Sequence, residues 1–105
     1  MEIKLQGNVR TDTMLVLSTA HMTSEDNELL KQWAGPLAVN PFIEVFTYDC
    51  GYLIWLGSPD WREQPLAKKL SPSLFWLLSH VPENIQWVRF DADADTTDAF
   101  QTFNW

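Results

Sequence analysis

Three aspartates at alternate positions form the most distinctive chemical pattern of the sequence, Asp91-Ala-Asp93-Ala-Asp95. Carboxylates at this spacing supply the first ligands of a calcium-binding loop. That loop needs a glycine where Thr96 stands and a bidentate glutamate where Thr102 stands, so a calcium loop is not expected here. The segment is predicted to be a solvated acidic loop that meets a basic partner or holds a divalent cation weakly.

His21 is the second residue whose type and position suggest chemistry. It follows the first predicted strand, with Ser18 before it and Glu25 one helical turn beyond. A nucleophile–histidine–carboxylate relay needs its members within hydrogen-bond distance, and neighbouring side chains at a strand end usually point in different directions. His21 is therefore expected to pack the junction between strand and helix. The alternative is a small hydrolase or metal-assisted enzyme that combines His21 with the three aspartates.

Other motifs of metal or cofactor chemistry are absent from the sequence. Two separated histidines and the single cysteine, Cys50, do not have the spacing of a zinc site. The four glycines are scattered, so they do not form a phosphate-binding loop. We predict no catalytic residue, no metal ligand and no cofactor, and we do not expect an enzyme.

Length and composition predict one globular domain over residues 1–105, because 46% of the residues are apolar. No apolar run reaches the ~20 residues of a membrane span, and the first residues alternate polar and apolar types rather than forming a signal sequence. A lone cysteine cannot form an internal disulfide, which is typical of a reducing compartment. The predicted location is the cytoplasm, without membrane contact.

The charge balance favours one class of partner. Fourteen acidic side chains and seven basic ones give a formal net charge of −7. This field repels nucleic acid and anionic lipid and attracts proteins with a basic surface. The alternative is that the acidity serves only solubility. The predicted partner is a protein with a basic surface, with no direct contact to nucleic acid.

The elements that position these residues follow from short β-branched or aromatic runs and from one helical repeat. Strands are indicated by the runs, and the second helix by a Ser-Pro start followed by apolar residues at i, i+3, i+4 and i+7. The predicted elements are a short strand at Ile3–Leu5, a strand at Met14–Ser18, a helix capped by Thr23 or Ser24 and ended by Gly35-Pro36, a hairpin of Phe42–Tyr48 and Tyr52–Leu56, a helix from Ser71 to Val81, and a strand at Ile85–Phe90.

This succession predicts an α+β fold, a two-layer sandwich of β-α-β-β-α-β order that is ferredoxin-like or a variant of that fold. The hairpin strands are apolar on both faces: Phe46 opposes Val45, and Trp55 opposes Ile54. Two helices on one side of a sheet cover only one face. The other face must be covered by the terminal segments, by a second copy of the chain in a homodimer, or by a partner.

The second helix predicts one tryptophan outside the core. Leu74, Leu77, Leu78 and Val81 define its apolar face, and Trp76 falls roughly 150° from the centre of that face. The chain's own loops, a dimer or a partner must cover Trp76. Six tryptophans in a chain of this length also suggest binding hot spots. The predicted partner-binding residues are Trp76, Phe75, Trp61, Glu25, Glu28, Asp91, Asp93, Asp95 and Trp105.

Several short stretches resemble one protein family. They are Leu17-Ser-Thr-Ala-His-Met-Thr23 with Asp26 and Leu29-Leu30 after it, Gly51-Tyr-Leu-Ile-Trp55, Trp87-Val-Arg-Phe-Asp91 and Thr102-Phe-Asn-Trp105. The family consists of short bacterial proteins carried on plasmids, prophages and genomic islands, and is known as a domain of unknown function. The resemblance implies no catalytic residue. It implies a mobile-element setting, where small acidic proteins inhibit a host defence nuclease, a toxin or another nucleic-acid-handling protein by binding it.

Overall fold

Four strands form one mixed sheet in the computed structural model of the chain, which describes residues 11–34, 43–56 and 59–105. The strands are β1 (Met14–Ser18), β2 (Ile43–Tyr48), β3 (Gly51–Leu56) and β4 (Trp87–Asp91). Their order across the sheet is β1-β4-β3-β2. β1 pairs with β4 in parallel, whereas β4 with β3 and β3 with β2 are antiparallel.

Two α-helices follow the predicted starts. α1 (Ser24–Trp33) lies between β1 and β2, and α2 (Pro72–Ser79) lies between β3 and β4. Thr23 caps α1 and Ser71 caps α2, each through its side-chain oxygen. The α+β class with a four-stranded sheet and two helices is confirmed. The finer expectation of a ferredoxin-like sandwich is not confirmed, since β1 lies at one edge of the described sheet, beside β4.

Some predicted features lie outside the described residues. These are the strand at Ile3–Leu5, the helix stop at Gly35-Pro36 and the first hairpin residue, Phe42. Of the helices in the described ranges, none is long and apolar enough to cross a membrane.

One face of the sheet packs against the helices and forms the core. Alternate strand residues on this inner face are buried, because side chains alternate between the two faces of a strand. Buried strand residues and buried helix residues make one cluster, which includes Leu17, Ile43, Val45, Tyr52, Ile54, Val88 and Phe90 from the sheet, and Leu30, Leu74, Leu77 and Leu78 from the helices.

A buried carboxylate ties the N-termini of the two helices together. Asp26 is only 1% exposed. It accepts hydrogen bonds from the Thr23 backbone N–H at 3.2 Å and from the Ser71 backbone N–H at 2.8 Å. The Ser71 hydroxyl donates to it as well, at 2.5 Å. One side chain thereby satisfies groups at the starts of both α1 and α2.

The segment between β3 and α2, for which the sequence predicts no helix or strand, is partly helical in the structure. It contains two 3-10 helices, Pro59–Glu63 and Pro65–Lys69. They bring Trp61, 2% exposed, and Ala67 into the core. The apolar share of this segment is low, so periodicity alone gives no sign of the contact.

The C-terminal segment, residues 97–105, lies against the chain just after β1; we call it the C-terminal strap. It contains no helix or strand. Its Phe103 N–H donates to the Ala20 carbonyl at 2.8 Å, and the Trp105 indole N–H donates to the Met22 carbonyl at 2.8 Å. The strap therefore depends on contacts with residues about eighty positions earlier in the chain.

Candidate functional site

His21 connects the C-terminal strap to the segment that follows β1, and we call it the clasp of the strap. The ring is 1% exposed, and both of its nitrogens have partners in the C-terminal strap. Nε2 accepts the Thr97 backbone N–H at 3.1 Å, and Nδ1 lies 3.0 Å from the Gln101 carbonyl oxygen. Since a carbonyl only accepts, Nδ1 carries the proton and the ring is neutral. The packing expected for His21 is present, and neither nitrogen is left to take a proton from a substrate.

Asp91 differs from its expected place in a solvated loop. It ends β4 and is 7% exposed. Its carboxylate accepts hydrogen bonds from Arg89 at 2.6 Å and from the Tyr48 hydroxyl at 2.9 Å. The Asp93 backbone N–H donates to its other oxygen at 2.8 Å. Asp91 is therefore paired within the protein rather than free in a solvated loop, and its predicted role in partner binding stays a prediction.

The electrostatics of Asp91 follow from these contacts. The backbone N–H of Asp93, then Arg89 and Tyr48, hold the pKa of the Asp91 carboxyl below its usual value. Because the folded-state pKa is depressed, the ionised carboxylate stabilises the fold above its unfolded pKa, near 3.9. That contribution is lost as the pH falls through the folded-state pKa.

We therefore expect Asp91→Asn to melt below the wild type at pH 7, with a difference in melting temperature that shrinks as the pH is lowered below about 4. Thermal melts over a pH series measure this difference. Asp95→Asn, at an exposed position of the same loop, is the matched control and should melt like the wild type throughout. A difference for Asp91→Asn that stays constant down to acidic pH would contradict the assignment.

Cys50, Asp91 and Asp93 bring three potential metal ligands together, with ligand atoms within 4.8 Å of one another. These three groups already have partners within the protein: the Cys50 thiol donates to Asp93 at 3.7 Å, and Asp91 forms an ion pair with Arg89. Desolvation, followed by the charges of Asp91 and Asp93, raises the pKa of the Cys50 thiol. The thiol is thus kept in its protonated, weakly ligating form.

Asp93 and Asp95 remain exposed, as expected of the acidic loop. Asp49, in the turn between β2 and β3, is exposed too, and its charge acts on Cys50 together with that of Asp93. These carboxylates give one end of the sheet a negative surface. His21 packs against the C-terminal strap, and the group of potential metal ligands found among the described residues, Cys50, Asp91 and Asp93, does not include it.

Two of the predicted acidic residues and one tryptophan line a common groove beside α1. Glu25 and Glu28 are exposed on the helix, and Trp105 of the C-terminal strap lines the same groove. The groove has a volume of about 570 Å³. Trp105 is 58% exposed although its indole N–H is bonded to Met22. The structure thus brings together three residues that sequence reasoning had named separately.

The predicted orientation of Trp76 is confirmed, since its ring is 50% exposed on the side of α2 away from the core. It stacks on His80 with ring centroids 4.0 Å apart, and it meets Phe100 of the C-terminal strap edge-on at 6.0 Å. Phe75 is half-buried and packs on Trp61 at 5.5 Å. Trp61 offers almost no surface to a partner, so we leave it out of any docking surface.

The outer side of the sheet, which we call the open face, carries the largest exposed apolar side chains of the strands. Met14 is 42% exposed, Val16 48% and Phe46 46%. Phe46 and Trp87 pack together with ring centroids 6.2 Å apart. Outward-pointing residues of the four strands make up this face, namely Met14, Val16, Glu44, Phe46, Leu53, Trp55, Trp87 and Arg89.

Of the residues that the sequence predicts to be partner-binding, only Asp91 is at an outward strand position, two residues after Arg89. The signal for this face was available in the period-2 alternation of the strands, which predicts two apolar faces. A depression of about 370 Å³ on this face lies between Trp55 and Trp87, with Glu44 and Asp12 at its rim. The Trp87 indole N–H donates to the Asp12 carboxylate at 3.2 Å, which fixes the ring across the face.

Comparison with known protein families adds one finding. Residues 14–105 match the model described as the C-terminal domain of a family of unknown function, DUF5983. The chain belongs to this family. The match begins at the first residue of β1 and covers the whole described sheet and both helices. The predicted membership of a domain family of unknown function is thereby confirmed. No curated protein and no solved structure matches the chain.

Proposed function

We propose that this DUF5983 domain is a non-enzymatic protein-binding module and that the open face of its sheet is the main docking surface. The observation that carries the proposal is the exposure of Met14, Val16 and Phe46, each above 40%, beside two tryptophans on the same face. Exposed apolar patches of this kind, rimmed by polar groups, are typical of protein–protein contacts.

The size of the face suits a modest interface. Four strands about 4.8 Å apart and five residues long at about 3.3 Å each span roughly 19 by 17 Å. Aromatic side chains dominate its centre, and tryptophan is the residue most enriched at interface hot spots. A partner that covers Trp55, Trp87 and Phe46 removes large rings from water, which supplies the affinity.

Charge selects the partner. The net charge of −7 attracts a basic surface and speeds the encounter. On the open face, Glu44 is exposed, while Arg89 is already paired with Asp91. The partner we propose is a basic protein of the cytoplasm, and a nuclease, a toxin or another nucleic-acid-handling protein inhibited by a mobile-element protein fits this chemistry.

The contacts of the ionisable residues support binding rather than catalysis. His21 uses both ring nitrogens to hold the C-terminal strap. Asp91 uses its carboxylate on Arg89, Tyr48 and the Asp93 backbone. The enzyme alternative would need both residues free and close together.

The test is a lysine placed on the open face, at Phe46 of β2, an edge strand of the described sheet. Phe46→Lys should lower affinity for the partner at least tenfold, because it puts a charge into the apolar contact and opposes a basic surface. Thr47→Lys is the matched control, since it adds the same charge to the next residue of β2, on the other side of the strand, where Thr47 is exposed. Partners captured on the immobilised wild type, then purified, are titrated against both variants.

Binding that survives in Phe46→Lys as fully as in Thr47→Lys contradicts the open face as the docking surface. Melting curves of both variants show whether they are folded. The affinity of the wild type for the partner should also fall with added salt, because salt screens the attraction between opposite charges.

A homodimer through the same face is the second candidate, favoured by the exposed apolar side chains Met14, Val16 and Phe46 on one surface. Two copies of net charge −7 repel each other, so self-association should strengthen with added salt. Light scattering across a salt series distinguishes this candidate from a basic partner, and Phe46→Lys should abolish the dimer.

A further inference from the structure

The groove beside α1 has a rigid aromatic wall. The Trp105 indole N–H donates to the carbonyl of Met22, a residue with 0% exposure, at 2.8 Å. Two residues earlier, the Phe103 N–H donates to the Ala20 carbonyl at 2.8 Å. These bonds fix the strap and the polar edge of the indole. A ring that is 58% exposed is nevertheless held in one orientation, so its open side is pre-organised for a ligand.

Two carboxylates line the same groove as this ring. Glu25 and Glu28 lie three residues apart on α1, and residues at this spacing are neighbours on a helix surface. Ser24 donates to Glu25 at 3.4 Å, and Lys31 forms an exposed ion pair with Glu28 at 3.4 Å. An exposed pair of this kind is weak, so it leaves Glu28 able to meet another cation.

One opposing charge also lines the groove. Lys69, at the end of the 3-10 helix Pro65–Lys69, is exposed and lies among the lining residues together with Asn27 and Gln32. A cation in the groove is therefore attracted by Glu25 and Glu28 and repelled by Lys69, and also by Lys31 where it pairs with Glu28. Replacing these charged residues one at a time therefore shows whether the bound ligand is positively or negatively charged.

We propose that this groove binds a lysine or arginine side chain of a basic protein segment. The cationic group lies over the Trp105 ring, which attracts cations through its quadrupole, and Glu25 and Glu28 flank it. The volume of about 570 Å³ accommodates a side chain with part of its backbone. The inference rests on the proposed protein-binding function only for the basic character of the partner; the site is separate from the open face.

The probe is a short peptide of alternating arginine and glycine, and the same peptide with glutamate in place of arginine is its control. The indole N–H resonance of Trp105, assigned by its loss in Trp105→Leu, is followed during titration of the full chain. The arginine peptide should shift this resonance, and the glutamate peptide should not. Trp105→Leu should lose most of the affinity, since leucine offers no aromatic face to a cation.

Three variants that each remove one charge test the sign of the ligand's charge. Glu25→Gln and Glu28→Gln should each weaken the arginine peptide roughly twofold to fivefold, and Lys69→Gln should strengthen it by a similar factor. Glu83→Gln is the matched control, because it removes an exposed carboxylate from the turn after α2, outside the groove. Its affinity should stay at the wild-type value, which shows that net charge alone does not account for the changes.

Weaker binding in Lys69→Gln, preference for the glutamate peptide, or an unmoved Trp105 resonance would each overturn the groove as a cation site. These outcomes leave the open face untouched, since Phe46 is on the other side of the sheet from α1. Conversely, a Phe46→Lys variant that keeps its partner contradicts the proposed docking surface without affecting the peptide titration.

Discussion

Gly51→Ala is expected to destabilise the fold by about 3 kcal/mol or more. Gly51 begins β3 and has a φ of 157°, a conformation that side chains rarely adopt. A methyl group at this position would overlap the Phe90 carbonyl oxygen and lie 2.8 Å from the carbonyl carbon. Both atoms belong to the backbone of β4, so relief requires the β3–β4 pairing to shift.

Urea unfolding followed by circular dichroism measures this loss. Asp49→Ala is the control, because it changes an exposed residue of the same turn and should alter the free energy of unfolding by about 0.5 kcal/mol or less. If Gly51→Ala unfolds at the urea concentration of the wild type, the pairing of β3 with β4 shifts without cost, which contradicts this prediction.

Local patterns were enough to predict the regular elements. β1 has the predicted bounds, Met14–Ser18, because an apolar β-branched run flanked by polar residues has few alternatives. α2 begins at Pro72 as predicted, because a serine cap with proline at the first helical position is a specific start signal. These signals depend only on residues that are close together in the chain, so they can be recognised from the sequence alone.

The C-terminal strap could not be predicted, because its position depends on contacts across the chain. His21 meets Thr97 and Gln101, which are 76 and 80 residues away. No periodicity marks such a segment, since it has neither helix nor strand. The sequence consequently predicted that His21 would be packed but did not identify the residues that pack it.

The sequence predicted Asp91 to lie in the acidic loop, whereas the structure places it at the end of β4. Asp91 belongs to β4, and Arg89 lies two residues before it, on the same face of the strand. This i, i+2 spacing predicts the ion pair once the strand is extended by one residue beyond Phe90. Asp93 and Asp95 lie past the strand and stay exposed, as expected.

Glu25, Glu28 and Trp105 were each named from sequence, but their common groove was not. Two of them are on α1, and the third reaches the helix only through the C-terminal strap. The shape of this groove therefore depends on the position of the strap. His21 holds the strap, so we expect it to affect the proposed peptide groove without contacting the peptide.

His21→Ala should lower the free energy of unfolding by about 2–4 kcal/mol. The substitution removes a buried ring, leaves the Thr97 N–H and the Gln101 carbonyl without their partner, and takes away the ring that packs edge-on to Phe100 at 5.9 Å. His80→Ala, at the chain's other histidine, is the control: His80 is exposed, so its loss should cost about 1 kcal/mol or less. Urea unfolding measures both free energies, and amide hydrogen exchange shows which part of the chain is destabilised.

Exchange should accelerate at the Thr97 and Phe103 amides before the sheet is affected, because the strap opens locally when its clasp is removed. The same variant should bind the arginine peptide more weakly, since Trp105 loses its fixed orientation with the strap. A His21→Ala protein of wild-type stability and unchanged exchange would show that the ring is not a clasp. Loss of biological activity in such a protein would then return His21 to consideration as a chemical group.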